Sequence, residues 1–178
     1  MNLSEIQTER IILLPLTPAR IHELFETKPK EEIMAFLGID EASFGHYQNM
    51  HEGGMETNRY SHHFFLLIDK EFKTPMGECG FHTWDRKHHR AELFYLLRKD
   101  EYKNKGYMSE VLKTVLDFGF KEMKLHRIKA LVADWNEPSV KLLKKFGFTF
   151  EGTMREDYLV DGKFESSDCY SLLVTDPI

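Results

Sequence analysis

The sequence predicts a mixed α/β fold, and three observations carry that expectation. Short apolar runs of strand length alternate with segments of helical period, one strand-loop-helix unit sits at the centre, and an Asp161-Gly162 turn joins two alternating runs near the C-terminus. Taken in order, Ile11 to Leu16 is a strand bounded by Pro15 and Pro18, and Pro18 opens a helix to about Glu26. A second helix starts at Pro29 with Glu31 and Glu32 in its first turn, carries Ile33, Met34, Phe36 and Leu37, and stops at Gly38. From Ile39 to Arg59 the periodicity is poor, interrupted by Gly45, Gly53 and Gly54, and only a loose third helix is expected.

His63 to Asp69, Met76 to Trp84 and Ala91 to Leu97 read as an antiparallel meander. The helix from Tyr107 to Met123 places Met108, Val111, Leu112, Val115, Leu116, Gly119 and Met123 on one face, which packs it on the sheet. Ile128 to Val132 returns as a strand, Pro138 to Phe146 is a short helix closed by Gly147, and residues 149–159 and 164–174 form a final hairpin. The expected architecture is one domain over residues 1–178, with a mixed, mostly antiparallel central sheet of about seven strands flanked by about four helices.

Composition narrows the function. At 178 residues, 42% hydrophobic and 30% charged, the chain needs no disulfide staples, and no apolar run approaches a membrane span. Glu5 and Glu9 stand where an export signal would be basic, so a cytoplasmic location is expected. Cys79 and Cys169 lie far apart in apolar contexts and read as reduced core thiols. A net charge of −5 argues against direct nucleic-acid binding and suits a cationic partner. His62-His63, His82 and His88-His89 show no metal-ligand spacing, and adjacent strand residues point to opposite faces, so no metal is expected.

The loop before the central helix contains Lys103, Asn104, Lys105, Gly106, Tyr107, Met108 and Ser109. A helix start exposes free backbone N–H groups at the positive end of its dipole, which suits a phosphate, and Gly106 lets the backbone approach closely. Neither of the two commonest nucleotide loops, GxxxxGK[ST] and GxGxxG, is present. Instead Lys103-x-x-Gly106-x-Met108 is followed by Asn136-Glu137-Pro138-Ser139 and then by Phe146-Gly147-Phe148.

In order and spacing these motifs resemble the GNAT acetyltransferase superfamily, and more closely its RimJ/RimL-like branch, from about Thr8 to Leu173. The resemblance implies acetyl-CoA as acetyl donor, with its diphosphate on the backbone of Lys103 to Ser109 and its pantetheine arm along the strand at Leu96, Leu97 and Arg98, splayed from the strand at Ile128 to Val132. It further implies Asn136 and Ser139 on the arm. Glu92 matches the family's best-known general base and Glu151 the base of the RimL-type branch, while Ser139 matches that branch's serine, a proton donor to the departing thiolate. Two positions depart from the pattern: Met108 replaces Gly or Ala, and Leu143 replaces a tyrosine used by many relatives. The implied acceptor is a protein N-terminal α-amine, with a ribosomal protein as one candidate. A polyamine, amino-acid derivative or antibiotic, and a CoA-binding module without turnover, stand as alternatives, and a homodimer is compatible with the family.

Overall fold

The structure is a computed structural model and describes residues 4–177. Its elements are β1 (Ile6–Gln7), β2 (Ile11–Leu16), α1 (Pro18–Thr27), α2 (Lys30–Leu37), α3 (Glu41–Gly53), β3 (Tyr60–Asp69), β4 (Pro75–Asp85), β5 (Arg90–Leu97), α4 (Tyr107–Lys121), β6 (Arg127–Val132), α5 (Glu137–Lys145), β7 (Thr149–Val160) and β8 (Lys163–Leu173). The strands form one sheet in the order β1-β2-β3-β4-β5-β6-β8-β7. Every neighbouring pair is antiparallel except β5 with β6, which is parallel. A parallel pair requires a crossover, and α4 supplies it.

The mixed, mostly antiparallel sheet is as expected, with two corrections of count. There are eight strands among the described residues, because the two-residue β1 is too short to show alternation, and five α-helices, because α3 forms in full. Asp40 caps α3 by accepting the Ser43 amide at 2.9 Å, and Phe44 and Tyr47 are its buried residues, two anchors that weak periodicity conceals. Strand β3 also starts earlier than the apolar run suggests, at Tyr60, because Ser61, His62 and His63 are buried polar residues.

Strand alternation divides the core in two. On one face Phe65, Phe81, Leu93 and Ile128 meet Val111, Leu112, Val115 and Leu116 of α4, together with Leu143 of α5. On the other, Leu16 and Leu66 pack against Ile21, Ile33, Leu37 and Phe44 of α1 to α3. In the closing hairpin Asp161 and Gly162 both have positive φ (48° and 79°), which the tight turn demands. Cys79 and Cys169 are free thiols, and burial pushes both up.

The sheet is tightest where β4 crosses β5. A Cβ built on Gly77 would lie 2.1 Å from the Leu96 carbonyl oxygen, a backbone atom that cannot move aside without shifting the strand. Gly77→Ala is expected to destabilise the fold by about 1–3 kcal/mol in chemical denaturation, the range for overpacked sites. An unchanged midpoint would show that β5 tolerates displacement there.

Candidate active site

Strand β5 pairs with β6 only at Arg90↔Arg127, Ala91↔Ile128 and Glu92↔Lys129, after which the two strands part. The other edge of β5 stays paired with β4 out to Gly77↔Leu97, and the Arg98 amide donates to the Met76 carbonyl at 2.9 Å. Backbone groups alternate sides along a strand, so with Arg98 turned to β4, the main-chain groups of Leu93, Tyr95 and Leu97 face the opening. Within the strand expected to carry the cofactor arm, Leu97 presents its backbone to the gap, whereas the backbones of Leu96 and Arg98 pair with β4. The Arg98 guanidinium turns to the α3 face, where it bonds Glu78.

The gap leads into a groove of about 470 Å³ that Tyr95, Leu97, Gly106, Met108, Asn136 and Ser139 help to line. Its floor is the start of α4. Whereas Thr17, Asp40 and Asn136 cap α1, α3 and α5 with side chains, α4 begins on Gly106 with φ 79° and no side-chain cap. The first amides of α4 therefore point into the groove with no side-chain acceptor, as an anion site requires. Met108 packs against the core, so the departure at this position leaves the backbone cradle intact.

Around the loop, Asn104 has φ 60°, Lys103 pairs with Asp100 at 2.6 Å, and the Lys105 carbonyl accepts from Arg10 at 3.1 Å. Arg10 lies over the Tyr107 ring and pairs with Glu110 at 2.8 Å, which fixes the first turn of α4 to the start of β2. Nothing in the local sequence ties Arg10 to this loop, about a hundred residues away.

At α5, Asn136 accepts the Ser139 amide at 3.3 Å, which makes it the N-cap. Ser139 and Tyr95 line the same groove, and burial pushes the Tyr95 hydroxyl above its ordinary value, with Ser139 opposing. Leu143 is fully buried in the core, and Tyr95 and Ser139 are among the hydroxyl residues that line this groove. Sequence motifs did not single out Tyr95. Its alternation with Glu92, Phe94 and Leu96 was the available sign that it faces α5.

On the opposite face, polar residues form a row across the sheet where the gap closes. Glu92 Oε2 meets Lys129 Nζ at 2.8 Å, and Glu92 Oε1 lies 3.6 Å from His82 Nε2. His82 Nδ1 lies 2.8 Å from the Thr83 hydroxyl, and Thr83 has φ 50°, rare for a β-branched residue, within the bulge between His82 and Asp85. Burial pushes the His82 imidazole down, with Glu92 opposing and Lys129 reinforcing. The row brings Glu92 together with a neutral imidazole that sequence spacing left among the unassigned histidines.

Glu151 sits further along the same side in a different state. Arg127 binds it with both guanidinium NH groups, one at 2.7 Å, and Ser171 Oγ donates to it at 2.8 Å. Together these bonds hold its carboxyl down to about 2. Such a carboxylate is a structural anion and a weak proton acceptor near neutral pH. Of the two glutamates singled out in the sequence, Glu92 is the one beside the opening of β5 from β6.

Residues 10–149 match the Acetyltransferase (GNAT) domain family, and the chain belongs to it. Acetyl-CoA is the acetyl donor of these enzymes. The uncharacterized N-acetyltransferase YoaA of Bacillus subtilis is 29% identical over 94% of this chain and 96% of its own length. Spermidine N(1)-acetyltransferase of Escherichia coli is 29% identical, over 45% of this chain and 42% of that protein. Other curated relatives are matched over 47–61% of their length. The structure of ribosomal-protein-S5-alanine acetyltransferase from Vibrio fischeri superposes with a TM-score of 0.72 at 22% identity, covering 97% of this chain and 98% of that one. The fold of the RimJ/RimL-like branch is thus the fold of this chain.

Two measurements test the site. An alanine at Gly106 must hold a left-handed backbone at about 1–2 kcal/mol, so Gly106→Ala is expected to weaken CoA binding about tenfold by calorimetry. Equal affinity would exclude this helix start as the anion site. Glu151 has a folded pKa below the unfolded value of about 4.3, so its stabilisation is present above that value and is lost as pH falls toward 2. Glu151→Gln should therefore be less stable than the parent at pH 7, with the difference closing between about pH 4.3 and 2. A constant difference over that range would contradict the assignment.

Proposed function

We propose that the protein is an N-acetyltransferase that moves the acetyl group of acetyl-CoA to a primary amine, with a protein N-terminal α-amine as the leading acceptor. One observation carries this reading: the pairing of β5 with β6 stops at Glu92 and Lys129, which opens a gap between the uncapped start of α4 and the His82–Glu92 row. The residues fit the donor. Free α4 amides suit a diphosphate, and the unpaired edge of Tyr95 and Leu97 suits a strand-like amide arm.

Bound acetyl-CoA supplies the activated acetyl group as a thioester. An alkylamine is protonated at neutral pH and must lose a proton before it can attack. Glu92 and His82 provide the acceptor, with Lys129 holding the carboxylate in place and His82 neutral through burial. On the other side of β5, the Tyr95 and Ser139 hydroxyls stay protonated near neutral pH and can donate to a departing thiolate. The parent relation between donor and acceptor sides is direct, since Leu96 lines both the cofactor groove and the groove on the α3 face. An α-amine has a lower intrinsic pKa than a lysine amine and asks less of this base.

Thiol release from acetyl-CoA in the presence of an amine panel tests the proposal. Glu92→Gln should lower kcat about 100-fold or more with little change in the KM for acetyl-CoA. The acid limb of the wild-type rate profile should lie below the ordinary histidine value of about 6.5 and should shift in His82→Gln. Stabilisation by acetyl-CoA without thiol release from any amine would instead identify a CoA-binding module without turnover.

A further inference from the structure

The second groove lies on the α3 face, between α3 and strands β3 to β5, and has a volume of about 850 Å³. It opens beside the His82–Glu92 row and shares Leu96 with the cofactor groove, so on the reading above it is where the acceptor enters. Its walls are mainly apolar: Tyr47, Met50, Met55, Phe64, Phe94 and Leu96. Among the described residues lining it, Glu78 is the one carboxylate, and it already accepts from both the Tyr47 hydroxyl and the Arg98 guanidinium. A polycation has no free anion to meet inside this groove, and burying its ammonium groups against methionine and phenylalanine would be strongly unfavourable.

Among the described residues three buried side-chain polar atoms are without partners, His62 Nε2, His63 Nε2 and Arg98 Nε, and two of the three, His62 and Arg98, belong to residues lining this groove. His62 is 6% exposed and stacks on Phe64 with ring centroids 4.3 Å apart. Burial pushes its imidazole down to about 4, so near neutral pH the ring is uncharged. With the ring's single proton on Nδ1, Nε2 is a buried lone-pair acceptor that has no donor within the chain. An unpaired buried acceptor is costly, and a ligand N–H is what would satisfy it. Strands β3, β4 and β5 carry His62, His82 and Glu92 in one row, so His62 stands about 10 Å from Glu92, two strand spacings away. That is the reach of a first or second peptide N–H from an amine placed at Glu92. Arg98 Nε, a buried donor, lies at the far end, about 20 Å along β5, where a later peptide carbonyl would fall.

We propose that this groove selects the amino terminus of a peptide whose first side chain is large and apolar, with His62 Nε2 accepting a hydrogen bond from a peptide N–H of the acceptor. His62 is then a specificity-determining residue. It sits apart from the proton path of Glu92 and His82 and acts on how the acceptor is held. The proposal rests on the acetyl-transfer reading for its location, but it makes a binding claim that is measurable without turnover.

The experiment compares hexapeptides beginning with Met, Leu or Phe with the same sequences beginning with Ser, Ala or Asp, alongside spermidine and isoamylamine, which is apolar but lacks any peptide N–H. Acetylation is followed by thiol release, and binding to the CoA-loaded protein by calorimetry. The apolar-first peptides should exceed the others at least tenfold in kcat/KM and in affinity. His62→Phe, which keeps the stack on Phe64 and removes the acceptor, should raise KM for those peptides about tenfold with kcat nearly unchanged. It should leave isoamylamine nearly unaffected, and His62→Gln, which restores an acceptor oxygen, should recover most of the loss. Preference for spermidine, indifference to the first residue, or an equal loss on peptide and isoamylamine in His62→Phe would overturn the assignment while leaving acetyl transfer intact. Apolar-first peptides that bind selectively through His62 but release no thiol would overturn acetyl transfer and support the groove.

Discussion

The parting of β5 from β6 after the Glu92–Lys129 pair is the constraint on which the rest of this structure depends. A fully zipped parallel pair would consume the main-chain groups of Leu93, Tyr95 and Leu97 and seal the path between the two faces of the sheet. As it stands, the strands are joined for three residues, tied by an ion pair at the point of divergence, and open beyond it. The crossover helix α4 starts at the mouth of that opening. Its left-handed glycine and missing side-chain cap leave amide hydrogens available where the unpaired strand edge leads. Neither feature alone would define a site, but sharing one groove gives them a common use.

The two faces of the sheet divide the chemistry. The α4–α5 face carries hydroxyls held protonated, and the α3 face carries a carboxylate and an imidazole held neutral, with β5 as the wall between them. Alternation along β5 makes this possible: Tyr95 turns one way while Glu92, Phe94 and Leu96 turn the other. Burial is the main means of tuning. It raises Tyr95 and lowers His62 and His82, so the two imidazoles, which would titrate near neutral pH in water, hold their neutral state there.

Much of this was legible in the sequence because it depends on local pattern. The apolar face of α4, the Asp161-Gly162 turn and the Gly106 loop are short-range signals, and each forms where its residues indicate. Period-two alternation along the predicted strand from Ala91 to Leu97 likewise places Glu92, Phe94 and Leu96 on one face. What the sequence could not convey depends on register and long-range pairing. The role of Glu151 turns on Arg127 and Ser171, which come from two other strands. The backbone duties of Leu96 and Arg98 follow from which edge of β5 pairs with β4, an offset of one residue that reverses every assignment. His62 and His82 looked like surplus histidines because their significance lies in a row across three strands, and Tyr95 gained a role only when α5 brought Ser139 to it.

Amide hydrogen exchange followed by NMR, with and without CoA, probes the parted strands directly. The account requires that CoA slow exchange at Tyr107, Met108 and Ser109 at the start of α4, and at Tyr95 and Leu97 on the open edge of β5. Leu96 and Arg98, already bonded to β4, should change little. Protection confined to the α3 face, or equal protection at odd and even positions of β5, would contradict it.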